Sequence, residues 1–266
     1  MCIIDSGTGE ITNSRRVVYD MTREEQIRLV EQQFAIDYNC SVEDFKNKET
    51  LVTIRKGNVG ARKFEDEDSL ISMLSYNGKL VITADEAIVE WCEEVLKQRL
   101  SAEWCFEANS LISIDKKLGA FGYGIDQVHL FFLPKFDREE TNMKLQVLEK
   151  EEIVRLEEDE RIDEAFLFDD YIQDMLGVAV KSETGEMLAV AGATDNRERM
   201  WEMGINSFKE GNGYGQVAIS RLIQEVIKRG KVPYYGTALS HCASQNVALR
   251  AGMVPSFCEL RTTKLK

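Results

Sequence analysis

The chain has 266 residues, 44% hydrophobic and 30% charged, which is the balance of a globular protein with length enough for two domains. Its formal net charge of −13 argues against nucleic acid as a partner, because such binding needs a basic face to displace counterions from phosphates. No run approaches the roughly 18 uncharged apolar residues of a membrane helix, and residues 1–5 lack the basic lead and long apolar stretch of a secretory signal. A cytoplasmic protein with no membrane partner is therefore expected. Six cysteines (Cys2, Cys40, Cys92, Cys105, Cys242 and Cys258) form no C-x-x-C pair, and the only histidines are His129 and His241. This predicts reduced cysteines acting as small hydrophobes and no metal site.

In chain order, residues 23–38 place Ile27, Val30, Phe34 and Tyr38 at helical spacing. Residues 51–54 and 80–83 read as short strands. Residues 85–100 read as an amphipathic helix with Ile88, Trp91, Cys92, Val95 and Leu96 on one face. The glycine-rich stretch 119–124 has the look of a phosphate loop, but no good helix follows it, so it reads as a turn between helix and strand. The apolar run 128–133 ends at Pro134, and a polar stretch follows at 135–142. The domain boundary is placed there, giving an α+β domain at 1–138 with no assignable role and a second domain at 139–266.

The second half predicts a strand at 144–148 and an acidic helical segment, as one or two helices, at 151–171. Strands at 177–181 and 186–193 are joined by the hairpin signal Ser182-Glu183-Thr184-Gly185. Residues 200–206 alternate, with Trp201, Met203 and Ile205 on one side and Glu202, Gly204 and Asn206 on the other. Residues 216–229 form a strong helix stopped by Lys228, Arg229 and Gly230. A strand at 232–238, a helix at 243–251 and a strand at 257–263 complete the chain.

The informative segment runs from Met203 to Gln216. A strand leads into a loop holding Gly211, Gly213 and Gly215, and the loop leads directly into a helix. Glycines admit positive φ and close backbone approach. The helix start offers unpaired N–H groups and the positive end of its dipole. Together these suit a pyrophosphate. A tight turn with no ligand is the bland alternative. A dinucleotide loop fails because Gln216 stands three residues after Gly213, and a Walker loop fails for want of G-K-[ST].

The segment resembles the GNAT superfamily of N-acetyltransferases, whose signature Q/R-x-x-G-x-G/A opens the helix after the fourth strand of that fold. Here Glu210-Gly211-Asn212-Gly213-Tyr214-Gly215 matches at both glycine positions and departs at the first, where Glu210 replaces Gln or Arg. Downstream, His241-Cys242-Ala243-Ser244 stands where the family often carries N-x-x-S, and Gly252-Met253 stands where it carries G-F. The resemblance covers nearly half the chain. It implies an α+β fold of GNAT type, with a mixed, mostly antiparallel central sheet flanked by helices, preceded by an N-terminal α+β domain.

The resemblance further implies acetyl-coenzyme A as cosubstrate, with no metal. It assigns the cofactor to Met203, Ile205, Glu210, Gly211, Asn212, Gly213, Tyr214, Gly215, Gln216 and Ser244. The oxyanion donor is a backbone N–H of the fourth strand, around 203–205. The acceptor is a primary amine on a small molecule or peptide, and a homodimer stays open. Glu202 is the candidate base, against the reading of a solvated strand glutamate. His241 is a second candidate base or a pantetheine contact, against a structural loop-end role. The family's usual general-acid Tyr falls at Ala248, so that acid is missing; Tyr234 and Tyr235 are the candidate substitutes, against plain packing. Cys242 reads by default as a buried, inert thiol. The N-terminal domain is expected to cover the acceptor cleft. The alternative function is a non-catalytic acyl-CoA-binding or regulatory module.

Overall fold

The computed structural model describes residues 21–64, 68–135, 145–209 and 211–265. The first half contains α1 (Arg23–Asp37), β1 (Leu51–Ile54), β2 (Ile71–Tyr76) and β3 (Lys79–Ala84). A helical run follows, built of α2 (Val89–Trp91), a π turn (Cys92–Leu96) and α3 (Lys97–Arg99). Then come α4 (Ala108–Gly119) and β4 (Tyr123–Pro134). The second half contains β5 (Gln146–Leu148), α5 (Lys150–Ile153), β6 (Asp174–Lys181), β7 (Met187–Thr194), β8 (Met200–Ser207), α6 (Tyr214–Lys228), β9 (Val232–Ala238), α7 (Cys242–Arg250) and β10 (Met253–Lys264). The fold is α+β: one mixed sheet, ordered β1-β3-β2-β10-β4-β9-β8-β7-β6-β5, flanked by helices. Only β1–β3 and β8–β9 pair in parallel; the remaining neighbours are antiparallel.

Local sequence explains most elements. The Thr22 hydroxyl accepts from the Glu25 amide at 3.1 Å and starts α1, with Glu24 and Glu25 in its first turn. Val30 and Phe34 are buried as expected, but Ile27 is exposed, and Gln33 takes a fully buried place. Its amide satisfies itself by donating to Asp37 Oδ1 and Gly60 O and accepting from the Arg199 amide. In α6, Ala218, Ile219, Leu222, Ile223 and Val226 are all fully buried against the sheet. Each large side chain among them contributes roughly 1.5–3 kcal/mol.

The acidic segment 151–171 departs from the expected helices. Only α5 and one 3-10 turn, Val154–Leu156, are helical. Beyond them the backbone lies directly on the sheet over a row of glycines, Gly177 on β6, Gly192 on β7 and Gly204 on β8, which are cross-strand partners. A Cβ at Gly192 would stand 1.9 Å from Ala165 O, and one at Gly204 1.8 Å from Glu164 O. Asn206 pins the segment by accepting from the Glu164 and Ala165 amides at 3.1 and 2.8 Å. Those amides are therefore spent on a side chain instead of a helix.

The expected division at 138/139 falls outside the described residues. Strands from either side of it share the sheet: β4 lies between β10 and β9 and pairs with both. Phe131 of β4 stacks on Phe257 of β10, with ring centroids 4.8 Å apart. A fragment of residues 143–266 lacks β4, which leaves β9 and β10 with unpaired edges and strips Phe257 of the ring stacked on it. We expect this fragment to be insoluble, or to give no cooperative thermal transition by circular dichroism. A soluble fragment with a sharp transition would show that β9 and β10 close on each other without β4.

Candidate functional site

The site begins where β8 and β9 part. They pair only at Met200–Val232, Trp201–Pro233 and Glu202–Tyr234. From Tyr235 to Ala238, β9 pairs with β4 on its other edge but no longer with β8. The rest of β8 has no strand partner on that side. The Phe208 amide donates to Leu188 O on the β7 side. Since backbone groups alternate along a strand, Met203, Ile205 and Ser207 turn theirs towards the gap. Two of these three, Met203 and Ile205, are the expected cofactor contacts.

The strand then runs into the glycine loop. Gly211 and Gly213 both have φ of 78°, and Gly213 is the N-cap residue of α6. A Cβ at either would meet no protein atom within 4 Å, so the space above them is open. The loop and the start of α6 line, through Gly211, Gly213, Gly215 and Gln216, a cleft of about 760 Å³ that is also lined by Met203 and Ile205 in the gap. Of the expected cofactor residues, Met203, Ile205, Gly211, Gly213, Gly215, Gln216 and Ser244 line it. Tyr214 packs against the hydrophobic core instead, and the Asn212 amide side chain donates to Lys209 O at 3.4 Å. Neither lines the cleft. Glu210 lies outside the described residues.

Both candidate bases line the same cleft. His241 is the exposed N-cap residue of α7. Ser244, in the first turn of α7, shares a hydrogen bond of 2.8 Å with the Tyr235 hydroxyl. Ala248 is fully buried. Cys242, expected to be buried, is exposed because it opens α7 at the surface, and it does not line the cleft.

Glu202 sits at the point of divergence and is no free strand carboxylate. Its Oε2 accepts from Arg62 Nη2 at 3.0 Å, from the Tyr234 hydroxyl at 2.9 Å and from Asn196 Nδ2. Gly236 makes room for it: a Cβ there would lie 2.9 Å from Glu202 Oε1 and 2.5 Å from a Phe131 ring carbon. Burial pushes the Glu202 carboxyl up, but Arg62, Arg197 and the hydrogen bonds from Tyr234 and Asn196 more than offset this. They hold it below the usual carboxylate range. Burial also drives the Tyr234 phenol well up, so its proton stays on.

Sequence reasoning missed several of these groups. Arg62 also binds Glu259 Oε2 at 2.5 Å. Glu259 is shared with Arg197, whose Nε reaches Asp37 Oδ2 at 2.9 Å. His129 of β4 lines the cleft on the same sheet face as Glu202 and Gly236, as the register shows. One signal was available: Glu259 is a charged residue on the same face of a strand as the core residue Phe257. Arg62 and Asn196 sit in polar loops and carry no such mark. Among the described residues, no group of His, Cys, Asp and Glu could hold a metal ion, and no helix is long and apolar enough to cross a membrane.

The depressed Glu202 carboxyl has a consequence for stability. A carboxyl whose folded value is lowered contributes fully above its ordinary value near 4.5 and loses the contribution as pH falls through the folded value. We expect Glu202→Gln to destabilise the fold by about 1–3 kcal/mol at neutral pH. The gap from the unchanged protein should shrink as pH drops below 4.5. Urea unfolding at several pH values measures this, and a gap that grows in acid would contradict the assignment.

No profile of a known protein family and no curated protein sequence matches the chain. Solved structures similar to it include an acetyltransferase of the GNAT family from Novosphingobium aromaticivorans (15% identity, TM-score 0.41, 55% of this chain and 69% of that one). Another is a GNAT-family acetyltransferase from Colwellia psychrerythraea (11%, 0.38, 56% and 61%). A third is a GCN5-related N-acetyltransferase-like protein from Streptococcus suis (13%, 0.43, 91% and 99%). The chain thus spans three fifths to seven tenths of the first two and nearly all of the third.

Proposed function

We propose that the chain is an N-acetyltransferase that moves an acetyl group from acetyl-coenzyme A to a primary amine. The observation that carries this reading is the continuity of the gap with the glycine loop. Unpartnered backbone groups of Met203 and Ile205 face a cleft that ends at Gly211, Gly213 and the start of α6. Loop amides and the positive end of the helix suit a pyrophosphate. A strand with free N–H groups suits an extended amide-bearing arm and a developing oxyanion. The open space above Gly211 and Gly213 fits a phosphate that any side chain there would displace. Glu202 and the exposed Glu164 also line the cleft, a setting that favours a cationic amine. Arg62 and His129 come from the first half, so that half belongs to the acceptor side in this reading. It does not act there as a detached lid.

A second reading keeps the binding and drops the turnover: a non-catalytic acyl-CoA-binding module. The buried Ala248, standing where the resemblance puts a general acid, favours it. Thiol release from acetyl-coenzyme A with a panel of primary amines separates the two.

Calorimetry tests the common part. Coenzyme A should bind, and NAD and ATP should not. Gly213→Val should abolish coenzyme A binding, because a β-branched residue at positive φ costs about 1–2 kcal/mol and fills the cradle. Equal affinity in a folded Gly213→Val protein would remove the loop from the site. Ser244→Ala should weaken coenzyme A by no more than about 1–2 kcal/mol, the worth of one or so hydrogen bonds. A loss of stability with unchanged affinity would make Ser244 purely a partner of Tyr235.

A further inference from the structure

Besides His241 at the start of α7, the cleft presents two groups that could handle a proton, Glu202 and His129, and their surroundings divide the labour. Glu202 is held by Arg62, Tyr234 and Asn196, all on one carboxylate oxygen. It stays ionised and is a poor proton acceptor. What it offers the cleft is a fixed negative charge. His129 differs. It is half-buried, and its ring makes no hydrogen bond to any described residue, so a ring nitrogen is free to accept. It stands on β4 while Glu202 stands on β8, on the same face of the sheet. Between them runs β9, reduced at Gly236 to bare backbone.

We propose that His129 is the proton acceptor for the amine and that Glu202 is the anion that draws the ammonium in. This assignment rests on the acetyl-transfer reading above. His129 takes one proton from the ammonium, leaving a neutral amine. The nitrogen lone pair then forms the N–C bond to the acyl carbon of the thioester as the C–S bond breaks. The departing sulfur carries off the second proton lost by nitrogen, and His129 returns its own to water. The balance is one ammonium and one thioester consumed, and one amide, one thiol and one proton formed.

The charged groups facing His129 are Glu202 on β8, Arg62 in the loop before β2, Asp126 on its own strand and Glu259 on β10. Burial pushes the imidazole below its ordinary value, Glu202 pulls it back, and Arg62 adds to the lowering. The ring is therefore neutral at physiological pH, which a base must be before it acts.

With only two histidines in the chain, proton NMR resolves the test, and His129→Gln assigns the signals. The His129 midpoint should lie below about 6.5. It should fall further when n-butylammonium chloride is added with coenzyme A present, because a cation beside the ring disfavours imidazolium. His129→Gln should keep its affinity for coenzyme A. With acetyl-coenzyme A and n-butylamine it should release thiol at least roughly 100-fold more slowly, with an unchanged KM for acetyl-coenzyme A. A midpoint at or above the ordinary value overturns the proposal. So does a His129 signal that ignores n-butylammonium, or a His129→Gln protein with the parent rate and pH profile. No heat with coenzyme A in the unaltered protein overturns the transfer reading itself. Heat with coenzyme A and an unmoved His129 signal overturns this proposal alone.

Discussion

One guanidinium, that of Arg197, lies almost completely inside this protein and a second, that of Arg62, is largely buried; the arrangement of the site follows from how they are neutralised. Arg197 is 1% exposed and Glu259 5%. Removing such ions from water costs several kcal/mol each, so the fold tolerates them only if nearly every charge finds a partner. Glu259 answers both: Oε1 takes Arg197 and the Tyr38 hydroxyl, and Oε2 takes Arg62. Asp37 closes the far end by holding Arg197 Nε and accepting from Gln33 and the Arg62 amide. Aromatic rings of Phe34, Tyr234 and Phe257 surround the Arg197 guanidinium. Four separate pieces of chain are thereby tied together: α1, the loop before β2, the connection from β7 to β8, and β10. Arg62 then has one hand left for Glu202. The ionisation of a carboxylate at the cleft is thus set by a network whose other end is in the first helix.

The second constraint is geometric. A strand can pair with one neighbour on each side, and β9 uses its two edges over different stretches. Its first residues pair with β8 on one edge, and its last residues pair with β4 on the other. Beyond Glu202 and Tyr234 the sheet is therefore open beside β8, and the exposed backbone there needs either water or a ligand. The glycine row across β6, β7 and β8 works on the neighbouring surface. It lets residues 163–166 lie flat on the sheet and form a wall of the opening. The cleft is therefore made by what the sheet lacks: one run of pairing and three side chains.

Local pattern was a good guide wherever an element is stabilised by its own neighbours. The three-four spacing of Ile219, Leu222, Ile223 and Val226 predicted α6, and the alternation around Trp201, Met203 and Ile205 predicted β8. It failed where tertiary contacts overrode it. The acidic run at 151–171 looks helical, but a side chain on β8 claims its amides. Ile27 looks like core and is exposed, while Gln33 is buried because it has three polar partners to satisfy it. Strand β2, in the middle of the first half, was not anticipated at all.

By itself the sequence determined the order of most strands and helices, the strand-loop-helix that ends at Gly213, and Glu202 and His241 as polar side chains bordering the same region. These are short-range matters, decided by side-chain periodicity and by the few residues that can take positive φ at a helix start. Only the tertiary structure decided that Glu202 is paired with Arg62, that His129 faces the same opening, and that β4 lies between β9 and β10. Strand order joins residues far apart in the chain, and no local period records which of them will meet. A buried charge must be matched by a partner from wherever the fold can supply one. Here it came from a loop and a helix that no motif marked.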